Sequence, residues 1–444
     1  MRSFSLGHNN IKTSPGSLHQ QNKRLEALER RIRCTSCYFQ AVKLTENNIR
    51  YFRSPPCVIS GYRYSLLGLL PSLHPPTPIS LFSLHLCILF SSMEKVSKFL
   101  FFLSLVLIAR TEMNGCSETE ERRSSRHHPR KLFVFGDSYA DTGNIGNLGR
   151  EITREWYEPY GMTFPKRPAG RFSDGRILTD YVASFLGIRS PVPHKDRRVA
   201  YKLFPYGMNF ALGGTGVFDT GNGQSNLSVQ ISTFQEQIDA GIFSKCDIKS
   251  SVALVSVAGN DYVRYDDIHG ATGIFDFIDL VTEQLALDLK RIHDLGVSKV
   301  VVTKLHPVGC SPFLTRKYNY TKCSTEGNLG ANIHNQWLGV AIKNISSEED
   351  VTKTFHMLDL NTAFSSLLNQ VEGAKKFKHV HRPCCESKTN ETNCGNLDTK
   401  GIKQYTLCHD PNSYFYWDDV HPTQAAWAAV FKYLKPELRQ FLSL

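Results

Sequence analysis

Four short stretches of this chain carry side chains that together could move an acyl group. Gly136-Asp137-Ser138 places a hydroxyl just after an apolar run. A serine hydroxyl is a weak nucleophile and needs a base within hydrogen-bond reach. Asp418-Asp419-Val420-His421-Pro422 supplies one. A spacing of three lets the Asp418 carboxylate meet one ring nitrogen of His421 and fix its tautomer. The other nitrogen is then left to take the Ser138 proton. The loop Asn209-Phe210-Ala211-Leu212-Gly213-Gly214-Thr215 and the stretch Ala258-Gly259-Asn260-Asp261 offer donors for a developing oxyanion. These are the backbone N–H of Gly214 (Gly213 being the second choice), the Ser138 N–H and the Asn260 amide. Each stretch also has a purely structural reading. Ser138 could cap a helix, Asp418 or Asp419 could cap the last helix, the glycines could serve turns and Asn260 could satisfy loop carbonyls. What favours chemistry is the set: the four occur in order, each at a strand end or helix start, and fill every role of an acyl-transfer site.

The elements that must position them read as alternating strands and helices. Lys131–Phe135, Ser251–Val257, Val297–Thr303 and Phe355–Leu360 are short apolar runs with the character of buried strands. Ser228–Ala240 and Phe275–Leu295 are helical. In the second, Ile278, Val281, Leu285, Leu289 and Ile292 recur at intervals of three or four. A last helix is expected after Pro422, with that proline at its first position. This alternation predicts an α/β fold with a parallel sheet covered on both faces, its site outside the carboxyl ends of the strands. Residues 131–444 read as one domain.

Charge separates this body from what precedes it. The 444 residues carry 52 Lys+Arg against 41 Asp+Glu, a net charge of +11. Of these, 18 basic and 8 acidic residues lie before Lys131, leaving 34 and 33 for the rest. The basic excess belongs to the leader, so nucleic acid is excluded as the main partner. Residues 93–116 have Lys95 and Lys98, then the apolar run Phe99–Ala109, then small residues, the layout of a secretory signal peptide. Met93 is therefore expected to be the true start, with residues 1–92 a non-native or disordered leader. Organellar import is the competing reading of that Arg- and Ser-rich, acid-poor segment. Secretion implies an oxidising compartment and no stable membrane anchor.

Seven cysteines follow the expected cleavage region: Cys246, Cys310, Cys323, Cys384, Cys385, Cys394 and Cys408. Their odd number predicts that at least one is unpaired, and the connectivity stays open. A zinc site is disfavoured because the last four lack a CxxC pair. Asn226, Asn319, Asn344 and Asn390 head glycosylation sequons. No GxSxG elbow, GxxxxGK phosphate loop or HExxH pair is present, and the glycines at 143, 146 and 149 do not form GxGxxG.

Taken together, the four blocks resemble those of the GDSL esterase/lipase family of the SGNH hydrolase superfamily, and particularly its plant secreted branch. FVFGDSYADTGN (133–144) is similar to the first family block, NFALGGTG to the second, VAGNDY to the third and WDDVHPT to the fifth. GRFSDGRILTDYVASFLG (170–187) also resembles that branch. The likeness implies a flavodoxin-like three-layer α/β/α sandwich and cofactor-free, metal-free hydrolysis of a small-molecule ester or acyl lipid by a monomer. It assigns Ser138 as nucleophile, His421 as base, Asp418 as acid, and Ser138, Gly214 and Asn260 as the oxyanion hole. Tyr139 departs from the usual Leu, and Ala258 from the usual Gly. His306, in His306-Pro307-Val308-Gly309-Cys310, is read as structural. Two alternatives stand beside hydrolysis: an acyltransferase using the same acyl-enzyme, and a non-catalytic binding protein on the same scaffold.

Overall fold

A computed structural model describes residue 129 and residues 131–444, except 271, 346–347 and 370–375. The expected leader and signal peptide lie outside the described residues.

Six parallel strands form the central sheet: β1 (Lys131–Gly136), β2 (Val192–Pro193), β3 (Gly207–Asn209), β4 (Ser251–Ser256), β5 (Lys299–Thr303) and β6 (Phe355–Leu358). Their spatial order is β2-β3-β1-β4-β5-β6. The four runs read as strands are β1, β4, β5 and β6. β2 and β3 were not legible, because strands of two and three residues are too short to show a period.

Each central strand is apolar on both sides because helices cover both faces. Leu132 and Val134 of β1, with Val252 and Leu254 of β4, face one core, shared with α1 (Leu178–Phe185), α6 (Leu360–Leu368) and α7 (Gln424–Leu442). Phe133, Phe135, Ala253 and Val255 face the other. There the cover is α2 (Leu227–Asp239), α4 (Ile274–Asp294) and α5 (Thr325–Asn344), while α3 (Gly259–His269) starts where β4 ends. The architecture is thus the three-layer α/β/α sandwich.

Two local expectations need correction. Pro422 is not the first residue of the last helix. Thr423 is the N-cap, its Oγ1 accepting from Ala426 N–H, and α7 begins at Gln424. A hydroxyl satisfies an orphan helix-end N–H, which a proline cannot do, so the cap sets the boundary. Nor is any of the seven cysteines free. Cys310–Cys323, Cys384–Cys408 and Cys385–Cys394 are disulfides. Cys246 is also disulfide-bonded. The sulfurs weighed for zinc are thereby committed to one another.

Two of these disulfides build a small lobe. Tyr160, Cys384, Cys385, Cys394, Tyr405 and Trp417 form its buried cluster, beside the short antiparallel pair β7 (Cys385–Ser387) and β8 (Tyr405–Leu407). Cys384 N–H donates to Tyr416 O at 3.0 Å and Cys385 N–H to Trp417 O at 2.7 Å, so the lobe holds the chain just before Asp418.

Candidate active site

β1 delivers Ser138 to the carboxyl edge of the sheet. Its last residue, Gly136, has φ +126°, and a Cβ there would overlap the Ser256 carbonyl of β4. Only glycine permits both the dihedral and the close approach. The Gln230 side chain of α2 pairs with both backbone groups of Gly136, accepting from its N–H at 2.8 Å and donating to its C=O at 2.9 Å. The chain then folds back through a turn in which Ala140 and Asp141 N–H donate to Asp137 O. No helix follows directly, so Ser138 is not a helix N-cap.

A second set of contacts ties this turn to the glycine loop. Asp141 accepts from the N–H groups of Gly143 at 2.7 Å, Asn144 at 2.6 Å and Gly213 at 2.9 Å. That last bond commits the Gly213 N–H and leaves Gly214, at φ +87°, as the glycine with its N–H to offer. Asn260, at the start of α3, donates one amide hydrogen to Thr215 O at 2.9 Å, which lashes it to the same loop and leaves a second hydrogen for a ligand. Asp261 accepts from Val217 and Phe218 N–H, both at 2.9 Å, and fixes the far end of the loop.

Asp418 and His421 arrive on a loop closed by Trp417 N–H donating to His421 O at 2.7 Å. The segment 170–176 braces it. Ser173 Oγ donates to Pro422 O at 3.0 Å, Asp174 accepts from Gln424 N–H at 2.7 Å, and the Phe172 ring lies 4.9 Å from the imidazole. On the other side Arg316 pairs with Asp419 at 2.7 Å.

The three side chains meet although 283 positions separate Ser138 from His421. His421 Nε2 is 2.8 Å from Ser138 Oγ. His421 Nδ1 is 2.8 Å and 2.9 Å from the two Asp418 oxygens. Asp418 and His421 are buried, and Ser138 is half-buried. Asp418 Oδ1 also accepts from the N–H groups of Val420 at 3.1 Å and His421 at 2.8 Å. Burial alone would push this carboxyl up, but His421 and these donors outweigh it and hold Asp418 at about 2. It is therefore ionised across any working pH. By contrast, burial raises the Asp137 carboxyl to about 7, with the Tyr139 N–H as its main relief.

One member of the site carried no sequence signal. The buried Tyr160 hydroxyl donates to Asp418 Oδ2 at 2.8 Å. Of the sequon asparagines, Asn319, Asn344 and Asn390 are exposed, while Asn226 is half-buried and caps α2 through its side-chain oxygen.

The family model described as GDSL-like Lipase/Acylhydrolase matches residues 132–434. Two GDSL esterase/lipases of Arabidopsis thaliana are each 41% identical to this chain. One aligns over 76% of this chain and 96% of its own length, the other over 78% and 97%. Among solved structures, the acetylxylan esterase Axe2 of Geobacillus stearothermophilus aligns over 71% of this chain and 95% of its own, at 14% identity and a TM-score of 0.33. No described helix is long and apolar enough to cross a membrane.

Proposed function

Because this chain belongs to the GDSL-like lipase/acylhydrolase family and is a carboxylic-ester hydrolase, we propose that it works through Ser138, His421 and Asp418. His421 Nε2 takes the Ser138 proton as Oγ attacks the ester carbonyl. The oxyanion forms among the N–H groups of Ser138 and Gly214 and the free amide hydrogen of Asn260. The protonated ring, held in register by ionised Asp418, passes its proton to the departing alcohol. Water then enters by the same route and releases the acid. The carrying observation is the unbroken chain of 2.8 Å contacts from Ser138 Oγ through both imidazole nitrogens to Asp418.

The test is hydrolysis of p-nitrophenyl esters from acetyl to palmitoyl. Ser138→Ala should abolish turnover and labelling by a fluorophosphonate. Asn260→Ala should lower kcat by roughly 10²–10³. Full activity in Ser138→Ala would sink the assignment.

Entry into the secretory pathway from Met93 is part of the same proposal, supported by the disulfide-bonded state of all seven cysteines from Cys246 onward. N-terminal sequencing of the native protein should find a mature terminus downstream of the apolar run 99–109. A terminus upstream of Met93 would reverse that reading.

A further inference from the structure

Tyr139 stands directly after Ser138. Its hydroxyl oxygen is 2.7 Å from the Val420 carbonyl oxygen and 3.1 Å from His306 Nε2. A phenol has one proton, and a carbonyl oxygen can only accept. The Tyr139 proton therefore goes to Val420 O, and His306 must donate to Tyr139 from Nε2, which fixes the His306 tautomer. Burial, with the charge of His421 as a smaller cause, pushes His306 down to about 3, so this ring stays neutral and keeps one N–H to give. The aromatic faces hold the arrangement in place. The Tyr139 ring stacks on His306 with centroids 5.1 Å apart and meets Trp427 edge-on at 5.3 Å.

The acceptor is what gives this contact its meaning. Val420 C=O and His421 N–H are two ends of one peptide group. The N–H end donates at 2.8 Å to Asp418 Oδ1, the same oxygen that lies 2.8 Å from His421 Nδ1. A hydrogen bond to a peptide oxygen polarises the group and strengthens donation from its nitrogen. An unbroken series of donors thus runs from His306 through Tyr139 and the 420–421 peptide to the catalytic carboxylate.

We propose that Tyr139 and His306 form a positioning pair that clamps the His421 loop to the turn bearing the nucleophile. The inference rests on the reading of Ser138, His421 and Asp418 given above. The Tyr139 ring also packs against the His421 imidazole, with centroids 5.8 Å apart, so the pair acts through His421 and not on the ester. Their effect is to hold the imidazole at bonding distance from Ser138 Oγ while the ring moves protons, so it falls on kcat rather than on KM.

The experiment compares Tyr139→Phe, His306→Leu, His306→Gln and the double variant Tyr139→Phe/His306→Leu in ester hydrolysis, with thermal unfolding measured alongside. Tyr139→Phe keeps the ring and its packing and removes only the hydroxyl. It should lower kcat about 5–30-fold, the rate equivalent of one hydrogen bond, with KM within about twofold. His306→Leu should lower kcat similarly. His306→Gln retains a side-chain N–H and should recover most of the loss. The double variant should be no slower than Tyr139→Phe, because both changes break one series. Wild-type kcat in Tyr139→Phe overturns the clamp, as do losses that multiply in the double variant. Ser138→Ala separates the two levels of inference. If it is inactive while Tyr139→Phe is normal, only the clamp falls. If it turns over normally, the site assignment falls and the clamp with it.

Discussion

Tyr160 stands 258 positions before the carboxylate to which its hydroxyl donates. Among the described residues Asp418 Oδ2 accepts from this hydroxyl and the imidazole, and both Asp418 and Tyr160 are buried. Tyr160→Phe should therefore cost about 2 kcal/mol of stability, as for hydrogen bonds to a charged group, and lower kcat several-fold with KM little changed. Chemical denaturation and steady-state kinetics check this, and an unchanged kcat would reduce Tyr160 to a packing residue. Asp137 makes the opposite kind of contribution. Its folded pKa, about 7, lies above the ordinary carboxylate value, as does that of Glu155, also raised by burial to about 7. The folded state thus holds protons that the unfolded chain releases near pH 4. Their stabilisation is present below about pH 4 and is lost as pH rises to about 7. Asp418, held down at about 2, contributes stability above its unfolded value near 3.8 and loses it as pH falls through 2. The melting temperature should accordingly peak in mild acid and fall toward neutrality. Asp137→Asn should flatten that fall; an equally steep decline in the variant would refute this account of Asp137.

At the scale of elements, the strand ends are where the chain accepts strained geometry for the sake of the site. Ala258, the N-cap of α3, sits at φ +104°, a left-handed conformation that costs an L side chain roughly 1–2 kcal/mol. It lies two residues before Asn260, so the turn that aims the amide is under strain. The departure from glycine noted in the sequence now has a physical consequence. Ala258→Gly should relieve the strain, less the extra entropy glycine has when unfolded, for a net gain of about 0.5–1 kcal/mol. Activity should be retained, and a lower melting temperature in this variant would contradict the argument. Gly136 has no such latitude, because the Ser256 carbonyl occupies the space of its missing side chain.

At the scale of the whole molecule, the loop bearing Asp418 and His421 lies between the sandwich and the disulfide lobe. Cys384–Cys408 closes a span of 24 positions and Cys385–Cys394 one of 9. The backbone bonds of Cys384 and Cys385 to Tyr416 and Trp417 carry that constraint to Asp418. Replacing Cys384 and Cys408 together by alanine should cost about 3 kcal/mol and lower activity beyond the loss of folded protein. Unfolding curves and kcat per folded molecule measure the two parts. Full kcat in the folded fraction would show that the lobe only stabilises.

The sequence by itself determined the sandwich, because strands buried on both faces must be apolar throughout and their helices must repeat every three or four residues. It also marked Ser138, Gly214, Asn260, Asp418 and His421 as the proposed site, since a nucleophile, oxyanion donors and a base would require particular residue types beside strand ends. β2 and β3 were too short to register, and Thr423 rather than Pro422 set the start of the last helix through a side-chain cap. Only the tertiary structure decided which distant groups share a hydrogen bond. Tyr160 with Asp418, Tyr139 with Val420 and Asp141 with Gly213 are pairings of common residues at no fixed spacing. Such contacts are specified by how packed layers bring loops together, and local pattern holds no record of them.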